Sequence, residues 1–178
     1  MIKIIDSKIK DVKIIIPQIF YDDRGNFFES YNIKTFDFHN SKFPFIQDNQ
    51  SESSFGVLRG IHFQKSPYSQ TKLVRVIFGE IQDVAIDLRP NSDTYLKYVS
   101  VILNDKNKKQ LYVPKGFAHA FLVLSKKAIV SYKVDNFYNK NYDSGITYDD
   151  PSINIDWELD KKDIILSDKD SQLSNLSI

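Results

Sequence analysis

The chain has 178 residues and no cysteine, and it balances 24 basic against 23 acidic side chains for a formal net charge of +1. That length fits one large domain, residues 1–178, burying roughly 70% of the surface its unfolded chain would expose. The interspersed charges leave no electrostatic footprint for nucleic acid or an anionic membrane, and the missing thiols exclude disulfides, thiol catalysis and thiolate metal sites.

The start, Met1-Ile2-Lys3-Ile4-Ile5-Asp6, lacks the long apolar run of a secretory signal, and no segment approaches the ~20 apolar residues of a membrane span. The expectation is a soluble cytoplasmic protein. Residues 12–16 read as a strand that Pro17 ends, Tyr21-Asp22-Asp23-Arg24-Gly25 as a turn, and residues 26–31 as a second strand. Residues 33–42 are expected to hold a short helix. From there β-branched and aromatic residues mark strands at 57–64, 72–78, 81–88, 97–103, 110–113, 120–124 and 128–134, with Gly, Pro, Asn, Asp or Ser between them. Gly79-Glu80 is expected to turn a hairpin. Short strands at such spacing imply a sandwich or barrel. The more polar last third carries the chain's single tryptophan, Trp157, expected to pack a late segment onto the barrel.

The run Gly56-Val57-Leu58-Arg59-Gly60-Ile61-His62-Phe63-Gln64 stands out. It places a base able to move protons near neutral pH beside a permanent cation, with Lys72 ten residues on. A lone strand histidine is ordinarily a satisfied core residue. The close approach Gly60 permits and the flanking polar Arg59 and Gln64 favour a pocket instead. Placing His62 and Lys72 on neighbouring strands would aim both into it. Alternation puts Lys72 on one face with Val74 and Val76, and Asp83 on one face with Ala85 and Asp87. Asp83 is then either solvated or paired with Lys72. His119, in Pro114-Lys115-Gly116-Phe117-Ala118-His119, reads by itself as a turn residue. Pattern alone does not single out Tyr132 and Tyr138 among ten tyrosines. A cupin-type metal site would want His-x-His where this chain has His62-Phe63-Gln64, so no metal is expected. The phosphate-cradling glycine loop and the dinucleotide fingerprint are also missing.

Taken together, the motifs resemble one family, the dTDP-4-dehydrorhamnose 3,5-epimerases, from about residue 10 to about residue 170. The resemblance rests on Phe20-Tyr21-Asp22-Asp23-Arg24-Gly25 with Phe28-Glu29, on Gln47-Asp48-Asn49 and Ser51, and on the run from Gly56. Gln70-x-Lys72-Leu73-Val74, Asp83-Val84-x-Ile86-Asp87-Leu88-Arg89, Pro114-x-Gly116-Phe117-Ala118-His119 and Leu166-Ser167-Asp168-Lys169-Asp170 continue it. It implies an all-β, double-stranded β-helix (a cupin-like jelly roll) with short peripheral helices. It also implies a homodimer and no cofactor. The implied reaction inverts C3 and C5 of a nucleotide-linked 4-keto-6-deoxyhexose, on the route to dTDP-L-rhamnose. By the same resemblance His62 is the general base, Tyr132 the acid, Asp170 the carboxylate behind His62, and Lys72 the cation at the 4-keto oxygen. Arg24, Glu29, Gln47, Asn49, Arg59, His119 and Lys169 match substrate contacts, and Tyr138 matches the ring that stacks on the base. Arg24 and Glu29 are implied to reach the neighbouring subunit's pocket. Two departures concern the sugar nucleotide: Ala120 replaces the family's usual Gly, and Asp143 a usual Glu. A relative inverting only C3, one taking a GDP-linked sugar, and a silent sugar-binding jelly roll remain open at this point.

Overall fold

A computed structural model describes residues 2–36 and 44–176. Its strands are β1 (Lys3–Asp6), β2 (Lys13–Ile16), β3 (Phe20–Asp22), β4 (Gly25–Phe27), β5 (Gln47–Ser54), β6 (Leu58–Gln64) and β7 (Lys72–Phe78). They continue with β8 (Glu80–Asp87), β9 (Tyr98–Asn104), β10 (Gln110–Val113), β11 (Phe117–Val123), β12 (Lys127–Val134) and β13 (Asp143–Gly145). Two short helical pieces follow, a 3-10 turn at Lys161–Asp163 and α1 (Asp168–Ser171). Among the described residues no helix is long and apolar enough to cross a membrane.

The strands form a six-stranded sheet, β1-β2-β10-β7-β12-β5, and a five-stranded sheet, β13-β6-β11-β8-β9, with β3-β4 as a separate hairpin. Pairing within the sheets is antiparallel. The expected jelly roll is what these alternating strands build. The main core lies between the sheets: Val74, Val76, Leu111, Val113 and Val130 from one meet Ile81, Ala85, Val99, Leu103, Phe117 and Phe121 from the other. Burying such branched and aromatic side chains stabilises the sandwich by roughly 1.5–3 kcal/mol each. The outer face of the five-stranded sheet is covered by the late segment, with Ile146, Ile153 and Trp157 against Ile61, Val84, Ile86 and Ala118. Trp157 therefore does pack that segment onto the sheet, and its indole N–H donates to the Tyr148 carbonyl at 2.9 Å.

Several expectations need correcting. Gly79 (φ 83°) turns no hairpin. It is a corner where the chain leaves the six-stranded sheet after β7 and enters the five-stranded sheet as β8. A Cβ there would lie 2.2 Å from the Lys127 carbonyl oxygen, so the tight corner excludes any larger residue. The chain also changes sheets between β6 and β7, so His62 and Lys72 sit on facing sheets, not on neighbouring strands. The strand expected at 26–31 stops at Phe27, because among the described residues β3 and β4 pair only with each other. His119 lies within β11, which begins directly after Gly116, and is not a turn residue. Of the helix expected at 33–42, residues 33–35 form a turn and 37–42 lie outside the described residues.

Candidate active site

A cavity of about 630 Å³ opens between the sheets. That volume falls within the ordinary range for small-ligand pockets. The five-stranded sheet contributes Arg59 and His62 from β6 and His119 and Phe121 from β11. The six-stranded sheet contributes Asn49 and Ser51 from β5, Lys72 from β7 and Tyr132 from β12. Residues 165–170 close one side.

This closure follows from local pairing. Ile165 makes a parallel bridge with Val57, its N–H donating to the Gly56 carbonyl (2.8 Å) while its carbonyl accepts from Leu58 (2.9 Å). The chain is thereby zipped to the start of the strand that carries His62. Ser167 then caps α1, its hydroxyl accepting the Asp170 N–H at 3.1 Å. The cap turns the buried Asp170 carboxylate onto the His62 ring, with Oδ1 2.6 Å from Nε2. An ionised carboxylate only accepts, so Nε2 carries the proton and Nδ1 keeps its lone pair. Burial pushes the His62 pKa below its ordinary value and outweighs the opposing pull of Asp170, leaving the ring a neutral base at pH 7.

Lys72 faces this base from the other sheet. Burial lowers its pKa to about 8, against the restoring influence of Asp83 and Asp143. It remains mostly an ammonium at neutral pH, and its Nζ stands 6.0 Å from the centre of the Tyr132 ring. Tyr132 is partly buried, which raises its phenol pKa and keeps the proton on it, with Arg59 pulling the other way. A neutral base, a cation and a protonated phenol thus converge from opposite walls.

Asp83 is fully buried, which removes the solvated alternative. It does not make the direct pair with Lys72: its Oδ1 lies 2.7 Å from Nε2 of His119. His119 is the cross-strand register partner of His62, so two histidines, each paired with a carboxylate, sit side by side in one sheet.

At the rim, Asp143 accepts from Lys169 Nζ at 2.6 Å and from the exposed Tyr138 hydroxyl at 3.1 Å. Arg59 donates to Ser53 Oγ at 3.0 Å, and Gln47 donates through Nε2 to Asn49 at 2.8 Å. The structure brings Asn49, Arg59, His119 and Lys169 to the cavity wall, whereas Gln47, Tyr138 and Asp143 stand outside its lining. Arg24 and Glu29 lie elsewhere. Arg24, at the tip of the β3–β4 hairpin, pairs with Asp22 at 2.6 Å with its side chain 90% exposed. Glu29 accepts from Asn32 at 3.0 Å. The departure Ala120 is buried in the outer layer, away from the proton-transfer groups.

Ser51 was not singled out as a site residue and lines the cavity. Its signal was the alternation Gln47, Asn49, Ser51, Ser53, all on the less exposed face of β5. Among the described residues no cluster of three or more His, Asp or Glu side chains suits a metal ion.

Comparison with known proteins identifies the family. The family profile for dTDP-4-dehydrorhamnose 3,5-epimerase matches residues 6–177. A dTDP-4-dehydrorhamnose 3,5-epimerase of Escherichia coli is 49% identical over 175 residues, covering 97% of this chain and 94% of the relative. The crystal structure of the dTDP-6-deoxy-D-glucose-3,5-epimerase of Legionella pneumophila, in complex with dTDP-4-keto-L-rhamnose, superposes with a TM-score of 0.94. It is 43% identical over 98% of this chain and 93% of its own. A 3'-monoepimerase from Streptomyces bikiniensis, in complex with dTDP-quinovose, reaches a TM-score of 0.88 at 28% identity, over 96% of this chain and 86% of its own. By profile, identity and fold, this chain belongs to the dTDP-4-dehydrorhamnose 3,5-epimerase family.

Proposed function

We propose that the chain is a cofactor-independent isomerase that inverts C3 and C5 of dTDP-4-dehydro-6-deoxyglucose, giving dTDP-4-dehydrorhamnose. The observation that carries this reading is the placement of His62, backed by Asp170, on one cavity wall and of Lys72 and Tyr132 on the facing one.

C3 and C5 both neighbour the C4 ketone, so the hydrogen on either is acidic for the same reason. Nδ1 of His62 takes that hydrogen as a proton, and the C–H electron pair moves onto the C4 oxygen as an enolate. The Lys72 ammonium offsets the charge where it develops. The enolate then collapses as carbon takes the Tyr132 hydroxyl proton on its opposite face, which inverts the centre. Solvent reprotonates the tyrosinate and removes the proton from His62, and a second round treats the other carbon. Asp170 keeps His62 in the productive tautomer throughout. Arg59 and Lys169 supply positive charge for the diphosphate, His119 and Asn49 contact the sugar nucleotide, and the exposed Tyr138 ring offers a stacking surface for the base.

In the same reading residues 1–178 act as one catalytic unit in the cytoplasm, as a homodimer. The β3–β4 hairpin leaves Phe20, Tyr21 and Phe27 55%, 72% and 72% exposed, an apolar surface that a second copy would cover. Arg24 and Glu29, outside their own chain's cavity, would then reach the partner's, with Gln47 and Asn49 on the β5 edge beside them. A sedimentation mass of one 20.7 kDa chain at micromolar concentration would overturn this arrangement.

Proton NMR of the protein with dTDP-4-keto-6-deoxyglucose in deuterated water tests the chemistry. Deuterium at both C3 and C5 with inverted product is expected. Exchange at C3 alone identifies a monoepimerase. Binding without exchange identifies a silent sugar-binding domain, and turnover only of a GDP-linked sugar overturns the nucleotide assignment.

A further inference from the structure

Asp83 is wholly buried, yet only one of its carboxylate oxygens has a partner. Oδ1 takes the hydrogen bond of His119 at 2.7 Å, while Oδ2 is shielded from solvent and bonded to nothing. An unpaired buried carboxylate oxygen is costly, and such atoms call for a reason. Lys72 shows the complementary anomaly. Its ammonium sits in the cavity wall, electrostatically coupled to Asp83, without a hydrogen bond or ion pair to any described residue. A lysine in direct contact with a carboxylate would have its donors occupied and its charge partly cancelled. A lysine with no carboxylate near would lose its proton to burial.

From this geometry we infer that Asp83 is a positioning residue that keeps Lys72 charged through space, and that His119 restrains Asp83 from closing onto Lys72, so that the ammonium's donors stay free for the substrate oxygen. The inference rests on the reading of Lys72 as the cation that stabilises the enolate. It gives the second histidine–carboxylate pair a task distinct from the first: Asp170 tunes the base, and Asp83 tunes the cation.

The other charged or titratable groups around Lys72 are His62 and Arg59 on β6, His119 on β11, Tyr132 on β12, Asp143 on β13, and Lys169 and Asp170 on α1. Asp143 also favours the charged form, but Lys169 already occupies it at 2.6 Å. Asp83 is thus the carboxylate that is both buried and short of a partner.

The test is an NMR titration of protein labelled at lysine Cε, with the Lys72 signal identified by its loss in Lys72→Met. The wild-type midpoint is expected near 8. Asp83→Asn should lower it by at least about one unit, the effect of removing a neighbouring opposite charge, and the alkaline limb of kcat/KM should fall with it. Asp83→Glu, which keeps the charge, should restore both. His119→Ala should raise the midpoint by freeing Asp83 to bind Lys72, and Asp83→Asn combined with His119→Ala should abolish that rise.

An unmoved midpoint in Asp83→Asn overturns the inference. So does a rise in His119→Ala that survives in the double variant, since hydration of the vacated space would then be its cause. Undiminished deuterium exchange in Lys72→Met refutes instead the reading of Lys72 itself, a result the titration cannot imitate. Should Asp83→Asn fail to fold, a His119→Ala midpoint that stays or falls still overturns the inference.

Discussion

Replacing Asp170 by Asn should move the pH profile and the rate in opposite senses. The carboxylate lies 2.6 Å from the His62 ring with only 4% of its side chain exposed, so little water screens the pair. Of the influences on His62, burial lowers the pKa and Asp170 raises it. Removing the charge leaves burial unopposed, so the His62 pKa falls further below its ordinary value. Lost with it is a charge-assisted hydrogen bond to the imidazolium, roughly 1.5–3 kcal/mol. The neutral base then persists to lower pH, so the acid limb of kcat/KM, already below the ordinary histidine value, shifts further down. The plateau should nonetheless fall, by roughly 10²–10⁴-fold. His62 becomes a weaker base, and the new amide N–H can donate to Nε2, placing the ring proton on Nδ1 where the substrate needs a lone pair. Deuterium wash-in at C3 and C5, followed across pD by proton NMR, measures limb and plateau together. An acid limb that stays put or climbs while activity drops would refute the electrostatic role given to Asp170.

Tyr132→Phe should retain deuterium exchange with unchanged configuration while inverted product falls roughly 10²–10⁴-fold; an equal decline of both in a folded variant would assign the acid elsewhere. Gly60→Ala should destabilise the protein severely. Gly60 has φ +133°, and an added Cβ would lie 2.4 Å from the Ala120 Cβ, 2.7 Å from its Cα and 2.9 Å from the His119 carbonyl oxygen. Backbone strain of about 1–3 kcal/mol and overpacking of similar size predict a thermal midpoint lower by roughly 5–20 °C. Adding Ala120→Gly should restore little, because backbone atoms are also struck, and a calorimetric midpoint within a degree of wild type would contradict the clash. Exhaustive chelation should leave turnover intact; activity lost to chelator and regained with a divalent ion would end the metal-free mechanism.

Much of this architecture was readable where side chains alternate. β7 and β12 carry apolar side chains toward the core at alternate positions, β8 and β11 do so with Asp83 and His119 interrupting the row, and each lies within a few residues of its expected place. β5 escaped because Gln47–Ser54 has no branched or aromatic residue at all. Its inward face lines a polar cavity, and pairing with β12 along its whole length holds it as a strand. Alternation also records which face a residue points to, but not which sheet its strand joins. It therefore leaves Asp83 either solvated or paired with Lys72, with no sign that His119 claims it, and sets His62 and Lys72 side by side when they oppose one another. Asp170 has no periodic signature. Only the motif Leu166-Ser167-Asp168-Lys169-Asp170 marks it.

The His62–Asp170 contact spans 108 positions of sequence. Closing a loop of that length costs about 4 kcal/mol in chain entropy, more than the roughly 1.5–3 kcal/mol that a charged hydrogen bond returns. The pair cannot draw itself together. It exists only because two sheets, the bridge at Ile165 and the cap at Ser167 have already formed. A half-folded chain would therefore hold its histidine without the carboxylate that makes it useful, and would be inert toward the sugar. Exchange of substrate hydrogen with solvent deuterium is thus also a clock for the end of folding, because the proton-abstracting unit is complete only when its most distant parts have met.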